Sequence, residues 1–456
     1  MTIKKISFII SCLIFWLVNI IYIQFDPYIN TFQYIYTIKY WNYYIYFGID
    51  GITISFLLLT SFIIPICLLF AWNTNNYYIN EYYICILSIE ILLLLVFTVL
   101  DIFWFYIFFE SILIPFFILI GLYGTRIRKI HAAYLLFFYT VCGSLFMLIS
   151  IIYIYIHVGS TNIQILNKIQ LDPITDKLLW FSLFLSFSIK VPIFPLHIWL
   201  PEAHVESPTE ASVILASILL KVGLYGFIRF LIPMFPIITY YYSNLIILFN
   251  MIGIVYTSYV TIRQTDIKKI IAYSSIGHMN VCMLGILSFD LISIIGSLLL
   301  MIGHGFISSG LFFMVGILYE RYKTKTINYY SGISYNMPIY SIYLFFFILS
   351  NISMPCTCNF IGELLILYKT TSEKQLFVTL TICISIFMCT AYSIWLYNKI
   401  CFGRKKNSIT NLTDLNYREL CILTPLVCMI LLLGIYPNVL IELWLSNISY
   451  YYQFII

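Results

Sequence analysis

Residues 181–230 read FSLFLSFSIKVPIFPLHIWLPEAHVESPTEASVILASILLKVGLYGFIRF. Two apolar runs flank a break, and each run carries one lysine, Lys190 and Lys221. Between them stand Pro192, Pro195, Pro201 and Pro208. Proline lacks a backbone donor and clashes with the preceding turn, so a helix entering this region must stop. Broken backbone at membrane depth persists only where protein buries it or where it lines a polar cavity. The stretch therefore belongs to a multi-pass membrane protein with a polar interior.

The rest of the chain agrees. Of 456 residues, 62% are hydrophobic and 9% charged, against about 25% charged in a soluble domain. Such a chain cannot clothe a water-facing surface, which excludes a soluble enzyme and a secreted disulfide scaffold. The net charge of +5 is dispersed along the sequence and points to no nucleic-acid partner. The twelve cysteines include no CxxC pair; Cys356 and Cys358 form a CxC with no second ligand pair nearby, so they read as packing residues and no metal site is expected. The chain opens MTIKKISFII, with no Arg-rich amphipathic stretch ahead of the first apolar run.

Apolar runs long enough to cross a bilayer, about 20 residues each, number about thirteen: 6–24, 46–71, 79–100, 102–122, 132–157, 178–199, 208–230, 244–262, 268–288, 291–318, 338–369, 376–399 and 419–440. With sides alternating from the N-terminus, one side collects Lys4, Lys5, the basic residues of 126–129, 263–269, 321–325 and 399–406, and Arg418. The other collects Lys39, Lys168, Lys177, Arg229, Lys369 and Lys374. The richer side is cytoplasmic or matrix by the positive-inside rule. The linkers near 25–45, 158–177 and 400–418 are too short to fold alone, and the C-terminal NISYYYQFII reads as an aromatic interfacial tail.

An ionisable side chain at mid-bilayer costs at least about 2.5–3.5 kcal/mol on insertion scales, so each needs a reason. Glu90, Glu110, Lys190, Lys221 and Glu363 fall inside five of the spans, as do His278 and His304; His197 follows the proline break. Scattered over several spans, these groups are the parts of a proton relay. Low dielectric favours the neutral forms of acid and base alike, and a nearby opposite charge restores the charged forms. Shifting one partner therefore loads or unloads a proton on the other. Haem would need two facing His pairs that the spacings do not supply.

The theme of break plus charge recurs five spans later, where FFFILSNISMPCTCNFIGELLIL carries Pro355 at a break and Glu363 after it. Five is odd, so two five-span units run in opposite orientations, the pattern of inverted-topology repeats whose ion sites sit at discontinuous helices. The expected fold is an all-α polytopic membrane protein of about 13 transmembrane helices, with two inverted five-helix repeats and two broken helices. Its expected parts are N-terminal spans over 1–78, a first repeat over 79–231, a second over 244–400, and a C-terminal span and tail over 401–456.

FYIFFESILIP, the Lys190-to-Lys221 stretch, IAYSSIGHMN and GHGFISSGLFFMVGILYER together resemble the antiporter-like subunits of mitochondrial NADH:ubiquinone oxidoreductase (respiratory complex I), relatives of the Mrp cation/proton antiporters. The resemblance runs from about residue 80 to 440. It implies a membrane-arm subunit that translocates protons while holding no flavin, iron–sulfur cluster or quinone itself; the complex as a whole uses NADH, FMN, iron–sulfur clusters and ubiquinone. Glu110 resembles the family's key glutamate, Lys190 the lysine paired with it, Lys221 the central-axis lysine, His304 a link to the second half and Glu363 the distal exit residue. Glutamate at 363 favours the chain 4 branch over chains 2 and 5, which usually have lysine there.

The same resemblance implies chain 2-like and chain 5-like neighbours, lipids such as cardiolipin, and the mitochondrial inner membrane. The N-terminus and basic loops would face the matrix and the C-terminus the intermembrane space. Two departures stand out. The family typically has fourteen core spans, so its first helix is expected to be missing here, and Glu210 occupies a position where the family usually has a small residue. Glu210 lies eleven residues before Lys221, on nearly the same helical face. A stand-alone cation/proton antiporter and a scaffold whose buried charges serve only assembly remain alternatives on sequence grounds.

Overall fold

A computed structural model describes residues 2–40, 43–73, 78–167, 172–373, 375–404 and 413–452. Lys168, Lys374, Lys405, Lys406 and the end of the aromatic tail lie outside the described residues. Among those described, ten helices are long and apolar enough to cross a membrane: Ile3–Gln24, Gly51–Asn73, Ile79–Thr98, Ile102–Tyr123, Lys129–Val158, Thr209–Met234, Pro236–Arg263, Leu291–Tyr322, Leu376–Cys401 and Tyr417–Ile435. The other three regions expected to span are also helical. Pro173–Lys190 is cut short by the proline break. Ile267–Ile286 is diluted by Ser274, Ser275, His278 and Asn280. The long run at 338–369 is divided into Pro338–Asn351 and Cys358–Ser372, with Pro355 in the gap.

The expectation of an all-α chain needs one correction. Gln33–Tyr40 and Tyr43–Ile49 form an antiparallel two-stranded hairpin, so the span expected at 46–71 begins at Gly51. Tyr, Ile and Phe count as apolar in a hydropathy run, yet their aromatic and β-branched side chains suit a pleated strand. Asp50 marks the boundary. Its Oδ1 accepts from the Thr53 amide at 2.9 Å while the Thr53 hydroxyl accepts from the Asp50 amide at 2.8 Å, a capping box. The hairpin is also fastened from outside: the Tyr46 amide donates to Asp101 Oδ2 at 3.0 Å, and the Leu100 amide to the Tyr46 carbonyl at 2.9 Å.

The C-terminal stretch is helical over Asn438–Tyr452. Its Trp444 is fully buried and donates from Nε1 to Ser55 Oγ at 3.3 Å. That helix seats against Gly51, where an added Cβ would overlap the Leu443 carbonyl.

Enclosure is uneven, and that unevenness locates the interior. Every residue of the apolar window of Thr209–Met234 is buried and 89% of that of Leu291–Tyr322, against 17% for Ile3–Gln24. A helix that is apolar all round must be surrounded by protein or lipid; these two are surrounded by protein. They are the helices that carry Lys221 and His304. At the end of the first, Arg229 Nη1 donates to Asp50 Oδ2 at 2.6 Å, both side chains being almost wholly buried, while the guanidinium carbon lies 4.5 Å from the centre of the Phe32 ring. This pair ties the hairpin and the Gly51–Asn73 helix to the central helix.

Two outcomes follow for stability. Arg229→Met leaves a buried carboxylate without its cation and should cost on the order of 3–5 kcal/mol. Adding Asp50→Ser, which keeps a cap but removes the charge, should recover part of that loss in denaturant or thermal unfolding of the detergent-purified protein. Burial pushes the Asp101 carboxyl up from 3.8 to about 6, opposed by its hydrogen bond from the Tyr46 amide. The native state then binds more protons than the unfolded chain between those values, so stability should fall as pH rises through that window. Asp101→Asn should flatten this part of the profile, measured as the unfolding midpoint at successive pH values.

Candidate functional site

The Thr209–Met234 helix is irregular where it matters. It widens to π-helical turns at Leu215–Leu219 and Phe227–Leu231, a distortion that loosens the regular backbone ladder and recurs at functional sites. Lys221 lies between the two turns. Its Nζ reaches back five residues to donate to the Ala216 carbonyl at 2.6 Å. The same ammonium stands 2.9 Å from His304 Nδ1 on the neighbouring helix. The helices pack closely here: a methyl group at Gly305 would sit 3.1 Å from Leu59 and 3.3 Å from the Ser217 carbonyl.

From His304 the row continues. The His304 and His278 rings lie 5.6 Å apart, centre to centre, and His278 Nδ1 is 3.2 Å from Glu363 Oε1. Four residues on four helices thus form one buried line, Lys221, His304, His278, Glu363, each at most 4% exposed. Gly362 and Gly296 let the last helix in. Each would place a Cβ 2.9 Å from the other's carbonyl, so the Cys358–Ser372 and Leu291–Tyr322 backbones touch, as small residues permit in membranes. His278 Nε2 and Glu363 Oε2 have no hydrogen-bond partner among the described residues, and a narrow polar cleft lined by Thr257, Ser258, Thr261, Ser274 and Tyr392 reaches His278. Each group in the line can accept and release a proton, with a ring or side-chain rotation bridging the wider gap.

The other expected pair is arranged differently from a contact ion pair. Lys190 is the last residue of its helix and almost wholly buried, with Nζ 4.1 Å above the centre of the Phe109 ring. Glu110, the next residue after that phenylalanine, is only part-buried and its Oε1 has no partner among the described residues. The two charges act on each other through space without an ion pair between them, because the ring face takes the contact position. Gly223, two residues beyond Lys221, brings the Lys190 turn against the central helix: a Cβ there would meet Lys190 Cβ at 3.0 Å.

Two secondary candidates stand apart from the line. Glu90 is fully buried with both carboxylate oxygens unpartnered among the described residues. His197 sits in an aromatic setting, 5.7 Å from Phe194 and 5.4 Å from Tyr256, ring centre to ring centre. The sequence reading missed His204. It is fully buried, stacked on Phe312 at 4.8 Å, unpartnered at both ring nitrogens, and within electrostatic reach of Lys221 and Lys268. Its one sequence signal was its place within the four-proline break.

Comparison with known proteins gives a consistent answer. A family model described as NADH:quinone oxidoreductase/Mrp antiporter, transmembrane, matches residues 100–389. The chain is 47% identical to NADH-ubiquinone oxidoreductase chain 4 of Marchantia polymorpha over 97% of its length and 89% of that protein. It is likewise 47% identical to the Chondrus crispus protein of the same name, over 94% and 88%. Among solved structures it is similar to a chain of respiratory complex I from Thermus thermophilus with bound NADH, at a TM-score of 0.90 and 26% identity over 99% and 95% of the two chains. A chain of the Mrp complex from Dietzia sp. DQ12-45-1b shares the fold at a TM-score of 0.88 and 16% identity, over 99% and 93%.

The glycine contact offers a direct check on the geometry. Gly362→Val should force the two helices apart at a cost of about 1–3 kcal/mol and draw Glu363 away from His278. Gly121→Ala, where an added Cβ would meet nothing within 4 Å, should be tolerated. Thermal inactivation of the two purified variants, compared with the parent, reads the difference.

Proposed function

The chain belongs to the NADH-ubiquinone oxidoreductase chain 4 family, and from that premise we propose how its buried residues move protons. It is a proton-translocating, multi-pass subunit of the membrane arm of the complex, in the inner membrane, where other subunits carry the redox cofactors. In our reading the chain crosses the membrane thirteen times. Two inverted units, 79–231 and 244–400, bring their broken helices together at mid-membrane. The matrix side carries the basic loops and the N-terminus. Chain 2-like and chain 5-like subunits flank the chain, and cardiolipin-type lipids contact its apolar faces.

Quinone reduction elsewhere perturbs the charge at Glu110, on the part-exposed side of the bundle. Lys190 answers through space, since nothing locks it to that carboxylate. The altered field at Lys221 decides whether its amine holds or gives up a proton. A released proton passes to His304, on to His278 and out by Glu363; reloading Lys221 completes the cycle. The observation that carries this reading is the 2.9 Å approach of Lys221 Nζ to His304 Nδ1 between two enclosed helices. An ammonium held there is enclosed by protein, and His304 stands within hydrogen-bond distance to take its proton.

Replacing Lys221 with Met, or Glu110 with Gln, should lower NADH-driven proton pumping by about tenfold or more in complexes that run at the parental size on a native gel. Parental pumping in both assembled variants would refute these roles.

A further inference from the structure

Glu210 belongs to no part of the line just described, yet it is 2% exposed at the start of the central helix. Its Oε2 accepts from the Tyr82 hydroxyl at 2.7 Å and from the Thr209 hydroxyl at 3.0 Å; its Oε1 has no partner among the described residues. It lines a crevice of about 500 Å³ together with Tyr82, Thr125, Lys268, Tyr319 and Lys323. These residues come from the ends of helices that lead into the basic loops, so the crevice lies on the side read here as the matrix side.

Along the helix, Glu210 is roughly 16 Å from Lys221 at 1.5 Å per residue, too far for direct transfer. Two buried bases act electrostatically on the groups at the two ends. Lys268 Nζ is held by the Ser207 carbonyl at 3.0 Å and lies 3.5 Å from Ser212 Oγ, on the turn that bears Glu210, with which it interacts electrostatically. His204 is within electrostatic reach of both Lys268 and Lys221, and neither of its ring nitrogens has a partner among the described residues. A buried imidazole with two unsatisfied nitrogens calls for an explanation, and transient bonding along a route between the two lysines supplies one.

We propose that Glu210 is the proton-collecting carboxylate of a matrix-side crevice, reloading Lys221 through Lys268 and His204. This rests on Lys221 being the central carrier. A proton from water in the crevice binds the Glu210 carboxylate and passes to the Lys268 amine, next to the His204 imidazole, and then to the Lys221 amine. Each donor returns to its earlier form, so the sequence consumes no other reactant. The charged and titratable groups acting around Glu210 are Tyr82 and Tyr83 on one helix, Cys67 on a second, Lys268 on a third and Glu320 on a fourth.

The test uses the assembled complex in sealed vesicles, with NADH-driven proton pumping followed from pH 6 to pH 8.5. Glu210→Gln should pump near the parental rate at the acidic end and on the order of threefold to tenfold more slowly at the alkaline end, where collection from scarce protons limits the cycle. Glu210→Asp, which keeps the carboxylate, should restore much of the profile. Glu210→Ala, carrying a small side chain that the crevice accommodates, serves if the glutamine variant does not assemble. A parental pH profile in an assembled Glu210 variant, beside a Lys221→Met variant that does not pump, would overturn the proposal and leave the central axis standing. Parental pumping in Lys221→Met would overturn both. Failure of both neutral variants to assemble would assign Glu210 to structure and overturn the proposal as well.

Discussion

Lys221 sits in a helix that protein encloses on every side, so its ammonium cannot bend outward to lipid headgroups as a peripheral lysine would. It must be satisfied where it stands. Because the cost of an unpaired charge in this setting is high, the surrounding backbone bends to meet it. The Ala216 carbonyl, within the π turn, accepts from Nζ, and at Gly305 the His304 helix packs closely against Leu59 and the Ser217 carbonyl. Much of the bundle can be read as the packing needed to keep that one cation and its neighbours inside.

The broken helices serve the same end from two directions. Where the Pro173–Lys190 helix stops, its last residue is held against the central helix through Gly223. Where Pro338–Asn351 stops and Cys358–Ser372 begins, the restart carries Glu363 to His278, admitted by the Gly296–Gly362 contact. A regular helix could not end a charged side chain at mid-depth, because its ends would leave bare carbonyl and amide groups in hydrocarbon. The interruptions are tolerated because they face protein. The Phe109 ring over Lys190 has a related effect: it shelters the ammonium without fixing it to Glu110, which leaves the two charges coupled but free to move apart.

Much of this was legible in the chain. Apolar runs placed the helices because their length is set by bilayer thickness. Prolines 192, 195 and 355 placed the breaks because they remove backbone donors. The misses have equally physical causes. Tyr46 opens a run counted as a span, while Tyr36 and Tyr44 fall in the stretch read as a linker, so the hairpin, whose aromatic and β-branched residues suit strands, straddled the two. Toward the C-terminus, the helix Asn438–Tyr452 is fastened by Trp444, which finds a buried hydroxyl on a helix almost four hundred residues earlier. His204 shares the proline-rich segment with His197, and what sets it apart, its complete burial against Phe312, is visible only in the fold.

The amino-acid sequence by itself determined that this chain lives in a membrane, roughly where it crosses, and which residues carry ionisable groups that hydrocarbon would reject. Those follow from composition, run length and position, all properties local to the chain. Only the tertiary structure decided which of the groups meet. Lys221 and His304 are 83 residues apart, and His278 and Glu363 are 85 apart. Their contacts depend on helix crossings set by glycines at close-approach points and by distortions of the backbone, neither of which a one-dimensional pattern can register. Proton transfer is sensitive to ångströms, and ångströms are fixed by packing.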